Sequence, residues 1–329
     1  MKSIELFAGA GGLALGLEKA GFKTQLLVEN DKWACKTLKE NNPNWNVLNE
    51  NISLVDFTIY RNKIDLLSGG FPCQAFSHAG KRLGFEDIRG TLFFEMARAI
   101  KEINPKMIMA ENVRGFATHD KGKTLEVVLA IFDELGYKTQ HKLINSWDQN
   151  VPQKRERYII IGLRKDLEEK AQFKFPKNML DRPTLRDVLK NVPKSNNPTY
   201  SDKKLKYFSL IPEGGNWKSL DVDLQIEYMG NAYYSGGGKT GFLKRLHMDH
   251  PSMTILTSPS QKQTERCHPK KLRPLTIRES ARIQTFPDNW EFYGSISNQY
   301  KQIGNAVPVN LATSISLEIM KTLEMLEKK

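Results

Sequence analysis

From Ser3 to about Leu163, short apolar runs alternate with amphipathic stretches, and no other feature constrains the fold as strongly. A brief apolar run followed by a helical period is the pattern of a buried strand with a crossover helix, and its repetition builds a parallel sheet. Ile4 to Phe7, Gln25 to Glu29, Ile64 to Ser68, Met107 to Glu111 and Tyr158 to Leu163 read as strands. Leu13 to Ala20, Ala34 to Asn41, Thr91 to Lys101 and Lys123 to Leu135 read as helices. The expected fold is therefore α/β, with a doubly wound, mostly parallel sheet. From about Gln172 to Phe292 the pattern breaks up among prolines, Asn196-Asn197-Pro198, Gly236-Gly237-Gly238 and the lysines Lys203, Lys204 and Lys206. Helical periodicity returns from Tyr300 to Leu326, so this last stretch should pack back on the first domain. The expected division is 1–175 plus 293–329 for the larger domain and 176–292 for a smaller, irregular one inserted into it.

Lys plus Arg number 49 against 37 Asp plus Glu, a net charge of +12, which favours an anionic partner. Cys35, Cys73 and Cys267 are the three cysteines, with no CxxC pair, so neither a disulfide framework nor a zinc cluster is expected. The chain enters its first strand without a charged leader, and no apolar run is long enough to span a bilayer. A reducing, cytoplasmic setting is expected.

Leu6-Phe7-Ala8-Gly9-Ala10-Gly11-Gly12 follows the first strand and opens the first helix. Glycines there let a ligand approach the backbone where a helix N-terminus points. Glu29 ends the second strand, where a carboxylate can accept from both hydroxyls of a ribose. Together they indicate an adenosine-containing ligand. The glycine spacing alone also suits a nicotinamide-dependent dehydrogenase.

Gly69-Gly70-Phe71-Pro72-Cys73-Gln74 follows another strand, at the crevice where open α/β sheets bind and transform ligands. Ala110-Glu111-Asn112-Val113 also ends a strand, which puts the Glu111 carboxyl on the same rim as the Cys73 thiol. In Gln153-Lys154-Arg155-Glu156-Arg157, strand alternation places Arg155 and Arg157 on one face, ready for an anion or a developing negative charge.

In these motifs the chain resembles the C5-cytosine DNA methyltransferases of bacterial restriction-modification systems. The glycine turn, Phe-Pro-Cys-Gln, Glu-Asn-Val and Gln-x-Arg-x-Arg occur in the family's order. They are followed by Arg278-Glu279-x-Ala281-Arg282-Ile283-Gln284-x-Phe286-Pro287 and Gln302-Ile303-Gly304-Asn305-Ala306-Val307, and the resemblance covers about 1–165 and 272–329. It implies an S-adenosylmethionine-dependent enzyme that needs no metal and releases S-adenosylhomocysteine. Cys73 would add to C6 of cytosine, Glu111 would hydrogen-bond or protonate N3, and Arg155 would hold O2.

By the same resemblance Phe7 stacks on the adenine, Glu29 binds the ribose, and Gly9, Ala10, Gly11, Gly12 and Leu13 line the methionine side. Pro72, Leu92 and Asn305, with its neighbours Ala306 and Val307, complete that pocket. Two positions depart from the family pattern. Asn51-Ile52 stands where many members have Asp-Ile to accept from the adenine amino group, and Asn30 replaces the aromatic that often follows the ribose glutamate. An amide oxygen accepts more weakly than a carboxylate, so both departures bear on cofactor affinity.

The target carbon lies inside the base stack, so such an enzyme extrudes its cytosine. Ser77-His78-Ala79-Gly80-Lys81-Arg82 resembles the family's mobile loop over the flipped base, with Gln74, Ser77, Lys81 and Arg82 as DNA contacts. In the irregular domain, Arg245, Thr254, Ser258, Ser260, Gln261, Lys262, Thr264 and Arg266 suit base edges or phosphates, and Lys270 and Lys271 suit phosphates. The expected partner is double-stranded DNA at a short, palindromic, cytosine-containing site, met by a monomer in the bacterial nucleoid and paired functionally with a restriction endonuclease. The alternatives are methylation of transfer RNA on the same scaffold and an idle DNA-binding relative. The presence of Cys73, Glu111, Arg155 and Arg157 speaks against the second.

Overall fold

The computed structural model describes residues 1–72, 91–259, 261–263 and 265–327. The chain divides into two compact units, the first Met1–Gln149, Glu156–Met179 and Val307–Lys329, the second Asn150–Arg155 and Leu180–Ala306.

Among the described residues the first unit carries a seven-stranded sheet. Its strands are β1 (Lys2–Leu6), β2 (Lys23–Glu29), β3 (Val47–Asn49), β4 (Leu66–Gly69), β5 (Met107–Val113), β6 (Tyr137–Asn145) and β7 (Glu156–Arg164). Their spatial order is β3-β2-β1-β4-β5-β7-β6. β1 to β5 pair in parallel, while β7 runs antiparallel to both β5 and β6. The order reverses beside β1, so the carboxyl ends of β1 and β4 open the crevice of a doubly wound sheet.

Two strands escape the apolar pattern for physical reasons. β3 is only three residues long. β6 is an edge strand that exposes Lys138, Gln140, His141 and Lys142, so it has no apolar run to recognise.

The crossover helices are α1 (Gly12–Lys19), α2 (Lys32–Asn41), α3 (Leu92–Ile103) and α4 (Lys123–Glu134). Asp31 caps α2 by accepting from the amides of Trp33 and Ala34, and Thr91 caps α3 by accepting from Phe94. The C-terminal helix α5 (Val309–Glu327) returns to the first unit and lies against α1. A Cβ built on Gly16 of α1 would stand 2.3 Å from the Cβ of Ala312, so these helices meet only because position 16 has no side chain. Gly16→Val should therefore cost about 3 kcal/mol of stability. Equilibrium denaturation reads this directly, and an unchanged midpoint would show that the two helices tolerate a wider separation.

Phe71, Phe93, Phe116, Phe132 and Tyr158 form an aromatic core, with Phe71 and Phe93 centroids 5.0 Å apart. It supports the chain just before Pro72 and Cys73.

The second unit has short helices, among them Asp202–Leu210, Val222–Met229, Ile277–Ile283 and Ile296–Asn305, and a two-residue parallel pairing of Gln153–Lys154 with Ser252–Met253. Its own core gathers Tyr207, Phe208, Trp217, Leu243 and Cys267. The charged motif at 278–287 is structural here. Arg278 donates to the carbonyls of Pro287 and Trp290, Arg282 pairs with Asp288, and Glu279 takes both arms of Arg273 at 2.7 Å.

Candidate active site

The turn after β1 is built from left-handed backbone, with Phe7 at φ 57°, Gly9 at 56° and Gly11 at 86°. Glycine adopts such angles freely, whereas a phenylalanine there is held by its surroundings. The hold comes partly from Glu29. Its Oε2 accepts from the Gly9 amide at 2.8 Å, and its Oε1 from the amides of Asn30 and Asp31 at 2.9 and 2.8 Å. One carboxylate thus locks both the glycine turn and the start of α2. Two acceptor sites per oxygen leave one open on Oε2.

Among the described residues nothing stands within 4 Å of where a Cβ on Gly9 would be, and Ala10, Gly12 and Leu13 are buried. Asn51 is exposed and its Oδ1 accepts from the Ser53 amide at 3.1 Å, capping the turn Ile52–Leu54, in which Ile52 is buried. Asn30 and Pro72 are exposed, and Leu92, at the first position of α3, is half-buried. An open space over glycine backbone, a helix N-terminus and an unfilled carboxylate acceptor fit an adenosine-bearing ligand such as S-adenosylmethionine. Asn305, exposed, and Ala306, buried, close the second unit, and Val307, buried, opens the return to the first.

At the ends of β4 and β5, Glu111 turns its carboxyl over Gly70, where a Cβ would come 2.8 Å from Oε2. Its Oε1 pairs with Nε of Arg157 at 2.6 Å. Antiparallel register places Arg157 opposite Val113, two positions from Glu111, so the pair is a diagonal cross-strand contact. Burial pushes the Arg157 guanidinium below its ordinary value, and the adjacent Glu111 carboxylate works against that shift. Asn112, next to Glu111, faces the other way and donates from Nδ2 to the carbonyl of Phe71 at 3.0 Å. The Glu-Asn pair thus offers one carboxyl to the crevice and braces the segment leading to Cys73. Adjacent residues on a strand point to opposite faces, the one signal that could have assigned Asn112 its role. Cys73 itself, with Gln74, Ser77, Lys81 and Arg82, lies outside the described residues.

The structure divides the two arginines expected to share a face. Arg155 is 1% exposed and its guanidinium donates to the carbonyls of Ile255, Gly304 and Ala306 at 3.1, 2.8 and 3.2 Å. Alternation fails because Arg155 sits between two strands of different sheets, Gln153–Lys154 and β7. The arginine paired with Glu111 within the first unit is Arg157, whereas Arg155 is held by carbonyls of the second unit. Gln153 belongs to the Arg155 network. It donates to Gln284 at 2.8 Å and accepts from the Ile255 amide at 2.8 Å, and Gln284 donates to the carbonyl of Ile303 at 2.7 Å. Three motifs far apart in sequence thus form one buried lattice within the second unit.

Several expected DNA contacts are also occupied internally. Arg245 donates to the carbonyls of Pro269 and Ile211, and Thr254 to that of Lys154. Arg266 is 7% exposed, donates to the Glu265 carbonyl, and is pushed down to about 10 by burial. Arg245 is half-buried and Arg266 buried, so in this structure both guanidinium groups are engaged within the second unit. Gln261 and Lys262 are exposed, and Lys262 lies over the Tyr228 ring at 4.6 Å; Ser258 is half-buried. Lys270 is paired with Glu213. Ser260 and Thr264 lie outside the described residues.

Among the described residues no group of three or more His, Cys, Asp or Glu side chains could hold a metal ion, and no helix is long and apolar enough to cross a membrane.

Residues 1–321 match the family model of the C-5 cytosine-specific DNA methylases. The chain is 55% identical to the Type II methyltransferase M.PspPI of Psychrobacter sp. (strain TA137), over 99% of this chain and 80% of the relative. It is 54% identical to the Type II methyltransferase M.Eco47II of Escherichia coli, with the same two coverages of 99% and 80%. A prophage-encoded DNA modification methyltransferase of E. coli shares the fold, with a TM-score of 0.72 at 24% identity over 98% of this chain and 99% of that one.

Proposed function

The chain belongs to the C-5 cytosine-specific DNA methylase family, and from that premise we propose how its residues methylate C5 of a cytosine in duplex DNA. It is an S-adenosylmethionine-dependent DNA methyltransferase of restriction-modification type. When bound, S-adenosylmethionine supplies an electrophilic methyl group on a sulfonium. The remaining chemistry belongs to the protein.

The thiolate of Cys73 adds to C6 of the extruded base, and the electrons of the C5–C6 double bond make C5 nucleophilic. Glu111 delivers a proton or hydrogen bond to N3, where the addition places charge. Arg157 orients Glu111 and offers its remaining donors to O2, the role expected of Arg155. After C5 is methylated, a base removes the C5 proton, the C6–S bond breaks to return the Cys73 thiolate, and Glu111 recovers the N3 proton. Glu29 and the glycine turn hold the ribose and methionine ends of the cofactor, with Phe7 and Asn51 at the adenine. The enzyme acts as a monomer on nucleoid DNA in the cytoplasm, alongside a restriction endonuclease of the same specificity.

The observation that carries this reading is the Glu111–Arg157 pair seated over Gly70, with Asn112 bracing Phe71 two residues before the nucleophile. Bisulfite sequencing of plasmid DNA from cells expressing the chain tests it. Protected cytosines should occur in one short sequence context. Protection absent from plasmid but present in transfer RNA would overturn the DNA assignment.

A further inference from the structure

The turn that carries Asn51 and Ile52 is held from outside by the side chain of Arg98 of α3. Its Nη2 donates to the Ile52 carbonyl at 2.8 Å and its Nη1 to the Val55 carbonyl at 3.0 Å. The guanidinium is in turn held by Glu95 at 2.8 Å and Glu102 at 2.9 Å, and it lies 5.5 Å from the Phe57 ring centroid. Glu102 also accepts from the Phe57 amide at 3.0 Å. Four acceptors around one planar fork fix its orientation, which lysine cannot reproduce.

This brace bears on a particular weakness of an asparagine. A carboxylate at position 51 could only accept, whereas an amide can rotate and present either its oxygen or its NH2 group. Here the Asn51 oxygen is pinned by the Ser53 amide at 3.1 Å, and that cap exists only while the turn keeps its shape. Held so, the oxygen keeps one direction, with its second lone pair open to an amino group. Released, the amide can turn and present its NH2 group to a carbonyl in that place.

We propose that Arg98 is a positioning residue for base selection in the cofactor pocket: by anchoring the Ile52–Val55 turn it keeps Asn51 an acceptor, so that the 6-amino group of adenine is preferred over a 6-keto group. The proposal rests on the reading that Asn51 faces the adenine.

The test is calorimetric and does not need turnover. S-adenosylhomocysteine and S-inosylhomocysteine, which carries a keto oxygen in place of the 6-amino group, are titrated into the full-length wild-type protein and into Arg98→Met, Arg98→Lys and Asn51→Ala. Wild type should prefer the adenosyl ligand by about tenfold, the scale of one hydrogen bond. The preference should fall to about twofold or less in both Arg98 variants and in Asn51→Ala, while affinity for a nonspecific duplex stays unchanged. Arg98→Lys keeps the positive charge between Glu95 and Glu102, so it supplies a folded variant if methionine is not tolerated; each variant is used only if it melts cooperatively. Wild-type preference retained in a folded Arg98 variant, with loss in Asn51→Ala, overturns the positioning role but not the adenine reading. No loss in Asn51→Ala overturns both.

Discussion

Replacing Cys73 with alanine or serine should lower methyl transfer by about 10,000-fold or more, while specific DNA binding stays within about threefold of wild type. The asymmetry follows from the chemistry. Cytosine is a poor carbon nucleophile until a thiolate adds at C6, so no other group can compensate for the missing sulfur, whereas holding the duplex depends on side chains elsewhere. Tritium transfer from labelled S-adenosylmethionine measures the first quantity and a filter-binding isotherm the second. A duplex carrying 5-fluorocytosine gives a second reading, because fluorine at C5 cannot leave as a proton. Wild type should form a denaturation-resistant adduct and Cys73→Ala none. Near-normal turnover in either mutant would remove the covalent scheme altogether.

The next largest effect should separate the two arginines of the Gln-x-Arg-x-Arg motif. Glu111→Gln should lower kcat by about 100- to 1,000-fold, since an amide can still hydrogen-bond but cannot move a proton at N3. Arg157→Met should fall in the same range, and the double mutant should lose much less than the product of the two, because each acts on the 2.6 Å contact with the other. Arg155→Met should behave differently. It strips a buried cation from three backbone carbonyls and should cost about 3 kcal/mol of stability, with the kcat of the folded fraction largely kept. Paired chemical denaturation and single-turnover kinetics distinguish the outcomes. Equal kinetic loss at 155 and 157 would return Arg155 to the reacting base.

Much of the fold was legible because strand and helix periods are written within a few residues. β1, β2, β4, β5 and β7 announce themselves as apolar runs, and α1 to α4 as amphipathic stretches between them. The glycine turn, the acid at the end of β2 and the order of the reactive motifs are likewise local, and they carry the resemblance to the cytosine methylases. β3 and β6 were not legible, one too short and the other an exposed edge whose pairing, rather than its side chains, makes it a strand.

The α/β architecture is written in local sequence patterns, and so are the glycine turn and the motifs proposed to build the site. Which partners those residues meet depends on the tertiary fold. It gave Glu111 to Arg157 and turned Arg155 toward carbonyls as far as 151 residues along the chain; it also buried Arg266 and engaged the half-buried Arg245 with the carbonyls of Pro269 and Ile211. The reason is physical: a residue's conformational preference depends on near neighbours, but whether an arginine keeps its water, meets a carboxylate or satisfies buried carbonyls depends on which distant segments fold around it.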